Sequence, residues 1–125
     1  MKIEKFEELD CWQEARQLVK MVYKTVSNGK FALDVRLRDQ MTGAAVSIMN
    51  NIAEGFTSQS NLELKRFLRY SRRSTAEVQS CLYVAVDQKY LPESEFTKIY
   101  EQAKKARQLI DGFIRYLRTK QTQRT

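Results

Sequence analysis

The chain has 125 residues, 42% of them hydrophobic and 30% charged, and its 22 Lys and Arg against 15 Asp and Glu leave a formal charge of +7. That is one domain's worth of protein. Four glycines and one proline among so many apolar residues argue against disordered, collagen-like and β-sandwich chains, which need either few apolar residues or frequent turn punctuation. A compact helical domain remains.

Histidine is absent, which removes the usual general base, the commonest metal ligand and the Glu-x-x-His pairs of di-iron bundles. Cys11 and Cys81 are too few for a zinc site, and no charged leader followed by an apolar core marks a secreted protein. The expectation is a reduced, cytoplasmic domain with no metal and no cofactor. No uninterrupted apolar stretch approaches the roughly 20 residues that span a bilayer. The excess positive charge must therefore face water, a polyanion or a membrane surface, and no membrane partner is expected.

The first predicted helix covers about 10–28, with Trp12, Ala15, Val19, Val22, Tyr23 and Val26 recurring at steps of three and four and Gly29 as its C-terminal cap. The second covers about 35–55, with Asp34 as N-cap and Gly55 as the residue that stops it. Ser60 and Glu63 have the spacing of a capping box, so the third covers about 61–88. Pro92 suits a first helical turn, and Phe96, Ile99, Ala103, Ala106, Ile110, Phe113 and Leu117 mark one face of a fourth over about 92–119. The first few residues and the polar tail 119–125 are expected to fray. Short connections force neighbours to run antiparallel, so residues 1–125 form a single all-α domain, an antiparallel up-down four-helix bundle.

At about 100° per residue the third helix turns Leu64, Phe67, Leu68, Ser71, Ser74, Thr75, Val78, Leu82 and Ala85 toward the core. Lys65, Arg66, Arg69, Arg72 and Arg73 then fall on the opposite side, five cations within nine residues. Residues 60–90 hold six basic against three acidic side chains and residues 91–125 eight against four, so the whole +7 resides in the C-terminal half. On the fourth helix Lys104, Arg107, Arg115 and Arg118 lie away from the apolar stripe, with Gln108 and Asp111 between them. A solvated helix face is the plain reading of such a run. Like charges at helical spacing repel, however, and only Glu63 and Glu77 lie near enough on the same helix to offset them. A polyanion would relieve that repulsion, and Tyr70, beside Arg66 and Arg73, offers a ring that could stack on an unpaired base.

The second helix has one apolar stripe, Leu37, Met41, Ala44, Ala45, Ile48 and Ile52, that Val35, Val46, Met49 and Ala53 extend well round the cylinder. One bundle core cannot easily cover both, so Val35, Val46, Met49 and Ala53 are expected at an interface between copies, unless long neighbouring side chains bury them. Gly43, Ala44, Ala45 and Ser47 face Ser71 and Ser74 as small residues, and a close approach of the two helices would explain a mid-helix glycine. A polar line follows through Arg36, Gln40, Gly43, Ser47, Asn50 and Glu54, and Ser47, Asn50 and Glu54, together with Gly55, make a structural seam. Glu54 sits in the last turn, where the helix dipole disfavours a carboxylate, so either solvent screens it or a cation such as Arg72 or Arg73 accompanies it, and the partner is the expectation. A catalytic role for Glu54 lacks a histidine, a nucleophile pair, a metal set or a phosphate-cradling loop, and no enzyme is expected. Cys11, next to a buried Trp12, and Cys81 read as packing residues.

Phe6-Glu7-Glu8-Leu9-Asp10-Cys11-Trp12-Gln13-Glu14-Ala15, Tyr23, Ser47-Ile48-Met49-Asn50-Asn51-Ile52-Ala53-Glu54-Gly55, Phe67-Leu68-Arg69-Tyr70-Ser71-Arg72-Arg73-Ser74-Thr75-Ala76-Glu77 and Tyr90-Leu91 resemble the bacterial four-helix-bundle proteins encoded in intervening sequences of the large-subunit ribosomal RNA gene. The resemblance covers nearly the whole chain; Arg73 stands where the family pattern commonly has glycine. It implies a left-handed bundle that assembles into a homopentamer and carries no enzymatic activity. The related accessory variability determinants of diversity-generating retroelements are similar bundles that bind nucleic acid and a reverse transcriptase. The expectation is a non-enzymatic, oligomeric protein that contacts RNA or DNA phosphates through helices three and four. The alternative is a scaffold that docks a protein such as a reverse transcriptase.

Overall fold

The computed structural model describes the backbone of residues 2–123 and the side chains of residues 2–120. A 3-10 turn, Phe6–Glu8, precedes helices α1 (Asp10–Val26), α2 (Gly29–Leu33), α3 (Val35–Thr57), α4 (Asn61–Asp87) and α5 (Glu93–Gln123). Each long helix packs on two others: α1 on α3 and α5, and α4 on α3 and α5, with α3 and α4 in the most extensive contact. Cross-helix hydrogen bonds fix the directions. Ser71 Oγ donates to the Ile48 carbonyl at 2.8 Å, Ser74 and Ser47 hydroxyls meet at 3.2 Å, and Gln102 Nε2 donates to the Glu14 carbonyl at 2.9 Å. Partner numbers fall on one helix as they rise on the next, which is the antiparallel up-down four-helix bundle expected from the short connections. Leu18, Val22, Met41, Ile48, Ile52, Leu68, Val78, Leu82, Ile99 and Ile110 fill its centre.

The expected N-caps are in place. Asp34 Oδ1 accepts from the Leu37 N–H at 3.1 Å, and the Ser60 hydroxyl accepts from the Glu63 N–H at 3.2 Å. The box at Ser60 is half formed, because the Glu63 carboxylate turns away to Arg66. The second Asp34 oxygen accepts from the Tyr90 hydroxyl at 2.9 Å, and Tyr90 stacks on buried Phe31 at 5.2 Å. That hydrogen bond to a carboxylate raises the Tyr90 pKa.

Four boundaries differ from the sequence expectation. Gly29 does adopt a left-handed φ of +49°, but it opens α2, and α1 stops at Val26; a five-residue helix is too short for periodicity to reveal. The 3-10 turn at residues 6–8 is ordered rather than frayed, since Phe6 meets Trp12 edge-on at 5.2 Å, Leu9 is buried and Glu8 accepts the Glu4 and Lys5 N–H groups. Those bonds lower the Glu8 pKa. Trp12, for its part, is only half-buried. At the other end α5 continues through Gln123, past the expected stop at 119, and residues 124 and 125 of the expected frayed tail lie outside the described residues. Ile114 is buried in the α5 stripe, whereas Phe113 is half-buried at its edge.

Gly55 does not stop α3. The helix runs on to Thr57, and the left-handed turn comes at Gln59, with φ 58°. Gly55 is instead the point of closest approach between α3 and α4: a Cβ there would lie 2.8 Å from Phe67 Cβ and 3.2 Å from Leu64 Cα. Gly43, to which the sequence assigned that role, is exposed, with nothing within 4 Å of a Cβ. Gly43→Ala should therefore raise stability by about 1 kcal/mol, the helix-propensity difference between the two residues. A thermal melt rising by a few degrees would show it, and a fall would place an unseen neighbour at Gly43.

Among the described residues no helix is long and apolar enough to cross a membrane, and no cluster of three or more His, Cys, Asp or Glu could hold a metal ion.

Candidate nucleic-acid interface

Lys65, Arg69, Arg72, Ala76, Gln79 and Tyr83 are spaced four, three, four, three and four along α4, so they form one line. Tyr100, Lys104, Arg107, Asp111, Arg115 and Arg118 form the facing line of α5. Arg72 Nε meets Asp111 Oδ1 at 2.8 Å across the seam, and Gln79 Nε2 donates to the Tyr100 carbonyl at 3.4 Å. Toward one end of this strip Arg69, Arg72, Asp111, Ile114, Arg115 and Arg118 line a shallow cleft of about 230 Å³. Asp111 is the one carboxylate among these lining residues. Arg69, Arg115, Lys104 and Arg107 belong to none of the ion pairs among the described residues. Arg69, Lys104 and Arg115 are exposed and Arg107 is half-buried.

The basic face is thus narrower than the sequence suggested, and centred elsewhere. Lys65 is buried, 7% exposed, because it lies on the α4 line that faces α5, seven residues before Arg72 and fourteen before the equally buried Gln79. Helical angle alone had placed it outside. Arg66 is exposed but neutralised: its Nη2 and Nε grip the two Glu63 oxygens at 2.7 and 3.1 Å and its Nη1 donates to the Tyr70 hydroxyl at 3.0 Å. The pair lowers the Glu63 pKa and raises that of Arg66. The Tyr70 ring is already engaged by two guanidinium groups, since Arg66 and Arg73 each stand 5.6 Å from its centroid. Arg73 is exposed on that same side. The carboxylate that offsets Arg72 comes from α5, as Asp111, beyond the reach of reasoning about one helix at a time.

At the other end of the strip stands an aromatic group that the sequence reading passed over. Tyr83 on α4 meets Phe96 and Tyr100 of α5 edge-on at 5.0 and 6.0 Å, and Phe96 stacks on Tyr100 at 5.6 Å. Tyr83 remains 53% exposed. The adjacent Tyr100 phenol raises the Tyr83 pKa. Continuing the four-three spacing from Arg69 and Arg72 would have found it.

On α3 the outward line divides. Val35 is 53% exposed and Val46 and Ala53 are half-exposed, whereas Met49, also partly buried, packs against the bundle's own core. In the polar seam Ser47 joins α3 to α4 through Ser74, Gly55 allows their close approach, and Asn50 and Glu54 point to solvent. No ion pair among the described residues includes Glu54, which is exposed at the helix end rather than paired with Arg72 or Arg73. Cys11 and Cys81 are both buried, and burial pushes the Cys11 thiol up to about 12 and raises that of Cys81 as well. Both are inert packing groups.

The family model of the 23S rRNA-intervening sequence proteins matches residues 7–112. A crystal structure of a protein of unknown function from the S23 ribosomal protein family of Bacteroides thetaiotaomicron is similar in fold, with a TM-score of 0.76 at 17% identity over 83% of this chain and 97% of that one. No curated protein matches the chain.

Proposed function

We propose that this chain, which belongs to the family of 23S rRNA-intervening sequence proteins, is a non-enzymatic nucleic-acid-binding bundle that works as an assembly of identical copies. The observation that carries the reading is the α4–α5 cleft, in which Arg69 and Arg115 face solvent without a carboxylate of their own. Guanidinium groups so placed meet phosphate oxygens and release counterions, which favours RNA or DNA without selecting a sequence. The family's name, tied to a ribosomal RNA gene, supports the same chemistry. The outward apolar line Val35, Val46 and Ala53 supports self-association, and a pentamer, the state implied by the resemblance, would concentrate five times +7 on one particle.

Filter binding tests the reading. Engaging about four phosphates, the protein should lose roughly a hundredfold in affinity between about 50 and 200 mM salt. Failure to retain structured RNA, single-stranded DNA or duplex at the lower salt would remove it. Light scattering tests the assembly, and a monomer at micromolar concentration would leave Val35 and Val46 without the role given them. A scaffold that docks a protein such as a polymerase is favoured by one observation, the adjacent exposure of Leu33 at 81% and Val35 at 53%. It predicts loss of a captured protein, with nucleic-acid binding unchanged, when Arg69 is reversed.

A further inference from the structure

We infer that the α4–α5 strip is a single-strand track, in which phosphates seat in the arginine cleft while an unpaired base stacks on Tyr83 at the far end. The inference rests on the nucleic-acid reading and narrows it to one class of ligand.

Basic and aromatic groups occupy the two ends of one continuous line. From Arg69 to Tyr83 the strip is about 21 Å long, at about 1.5 Å per residue. A stacked strand covers that length in about six steps of roughly 3.4 Å. Between the ends the α4 side is floored by Ala76 and by Gln79, whose amide is held down on the Tyr100 carbonyl, so no bulky side chain rises between cleft and ring. Lys104 and Arg107 flank this stretch from α5 and continue the positive charge.

Tyr83 has the properties a platform needs. Phe96 and Tyr100 brace it edge-on from α5, so the ring is held in place while half of it stays exposed. Phe96 is half-buried beneath it. An exposed, immobilised aromatic ring gains by being covered, and every base has a face that can cover it whatever the sequence. A duplex offers phosphates to the cleft but keeps its base faces inside the stack, so it can use only the basic end.

The test uses the full chain and fluorescence anisotropy at low salt. Its probes are a labelled oligothymidylate of about 20 nucleotides, long enough for a typical single-strand site, a duplex of the same length and an abasic strand of the same length. Tyr83→Ala should weaken oligothymidylate binding by about 5- to 100-fold, the range of one lost base stack, and leave duplex binding within about twofold. Tyr83→Phe should behave as the natural protein. Should Tyr83→Ala lower the melting temperature appreciably, Tyr83→Leu replaces it. The abasic strand tests the same point on the unmutated chain, which should bind it as weakly as Tyr83→Ala binds oligothymidylate.

Equal affinity of the unmutated protein for oligothymidylate and the abasic strand, or an unaltered affinity in Tyr83→Ala, would overturn the track while leaving phosphate binding intact. Absence of binding to all three probes would instead overturn the nucleic-acid reading on which the track stands.

Discussion

Reversing Arg69 and Arg115 together to Glu should reduce nucleic-acid affinity at about 50 mM salt by a hundredfold or more, with helicity and melting temperature unchanged. Both side chains are exposed, on α4 and α5, and neither takes part in an ion pair among the described residues, so nothing in the fold depends on them. Each reversal removes one phosphate contact and adds a repelling carboxylate to a cleft that already holds Asp111. The slope of log affinity against log salt should fall by about 1.4 to 1.8, two contacts at about 0.7 to 0.9 each. Arg66→Glu serves as the control. Its guanidinium is already bound to Glu63, so the change should cost far less affinity. An Arg66 effect equal to that of the pair would move the interface to the outer side of α4.

Gly55→Val should destabilise the bundle by about 3 kcal/mol, the upper part of the usual range for overpacking, and lower the melting temperature by about 10 °C. The Cβ alone would sit 2.8 Å from Phe67 Cβ and 3.2 Å from Leu64 Cα. Those are atoms at the root of α4, which no rotamer change can move. The two helices must therefore separate, and with them the Ser71 to Ile48 and Ser74 to Ser47 hydrogen bonds, one and two turns further along. A denaturant midpoint equal to that of the natural protein would show that α3 and α4 slide past one another at little cost. Gly43→Ala, with the opposite expected sign, makes the pair a measure of how local that crowding is.

Much of the architecture was legible. Asp34, Ser60 and Pro92 declare three helix starts through capping chemistry, which acts within three residues and so can be read from the string alone. The apolar periods placed the core on α3, α4 and α5, but on α1 they included Tyr23, which is 51% exposed, and passed over the fully buried Leu18. What escaped depends on a second helix. Lys65 reads as outward on its own cylinder but is covered by α5; Arg72 reads as free until Asp111 is brought to it from 39 positions away; Gly55 reads as a terminator because its true constraint, Phe67, lies on α4. Met49 reads as outward on its own cylinder, yet it packs partly buried against the core. Part of the candidate site was legible, since Arg69, Lys104, Arg107 and Arg115 lie where helical spacing put them. Tyr83 was passed over because an aromatic near the end of an amphipathic helix resembles core packing until its exposure is known.

The bond between Arg72 and Asp111 gives the cleft a built-in competitor. Arg72 is already satisfied at 2.8 Å, and a lone phosphate ion or mononucleotide that takes the carboxylate's place trades one anion for another while leaving Asp111 stranded beside it. A polymer faces the same exchange at that position, yet its neighbouring phosphates engage Arg69 and Arg115 in the same event. On the proposed reading, valency rather than the chemistry of any single group should decide what the cleft retains, and a metabolite bearing one phosphate should bind far more weakly than a strand.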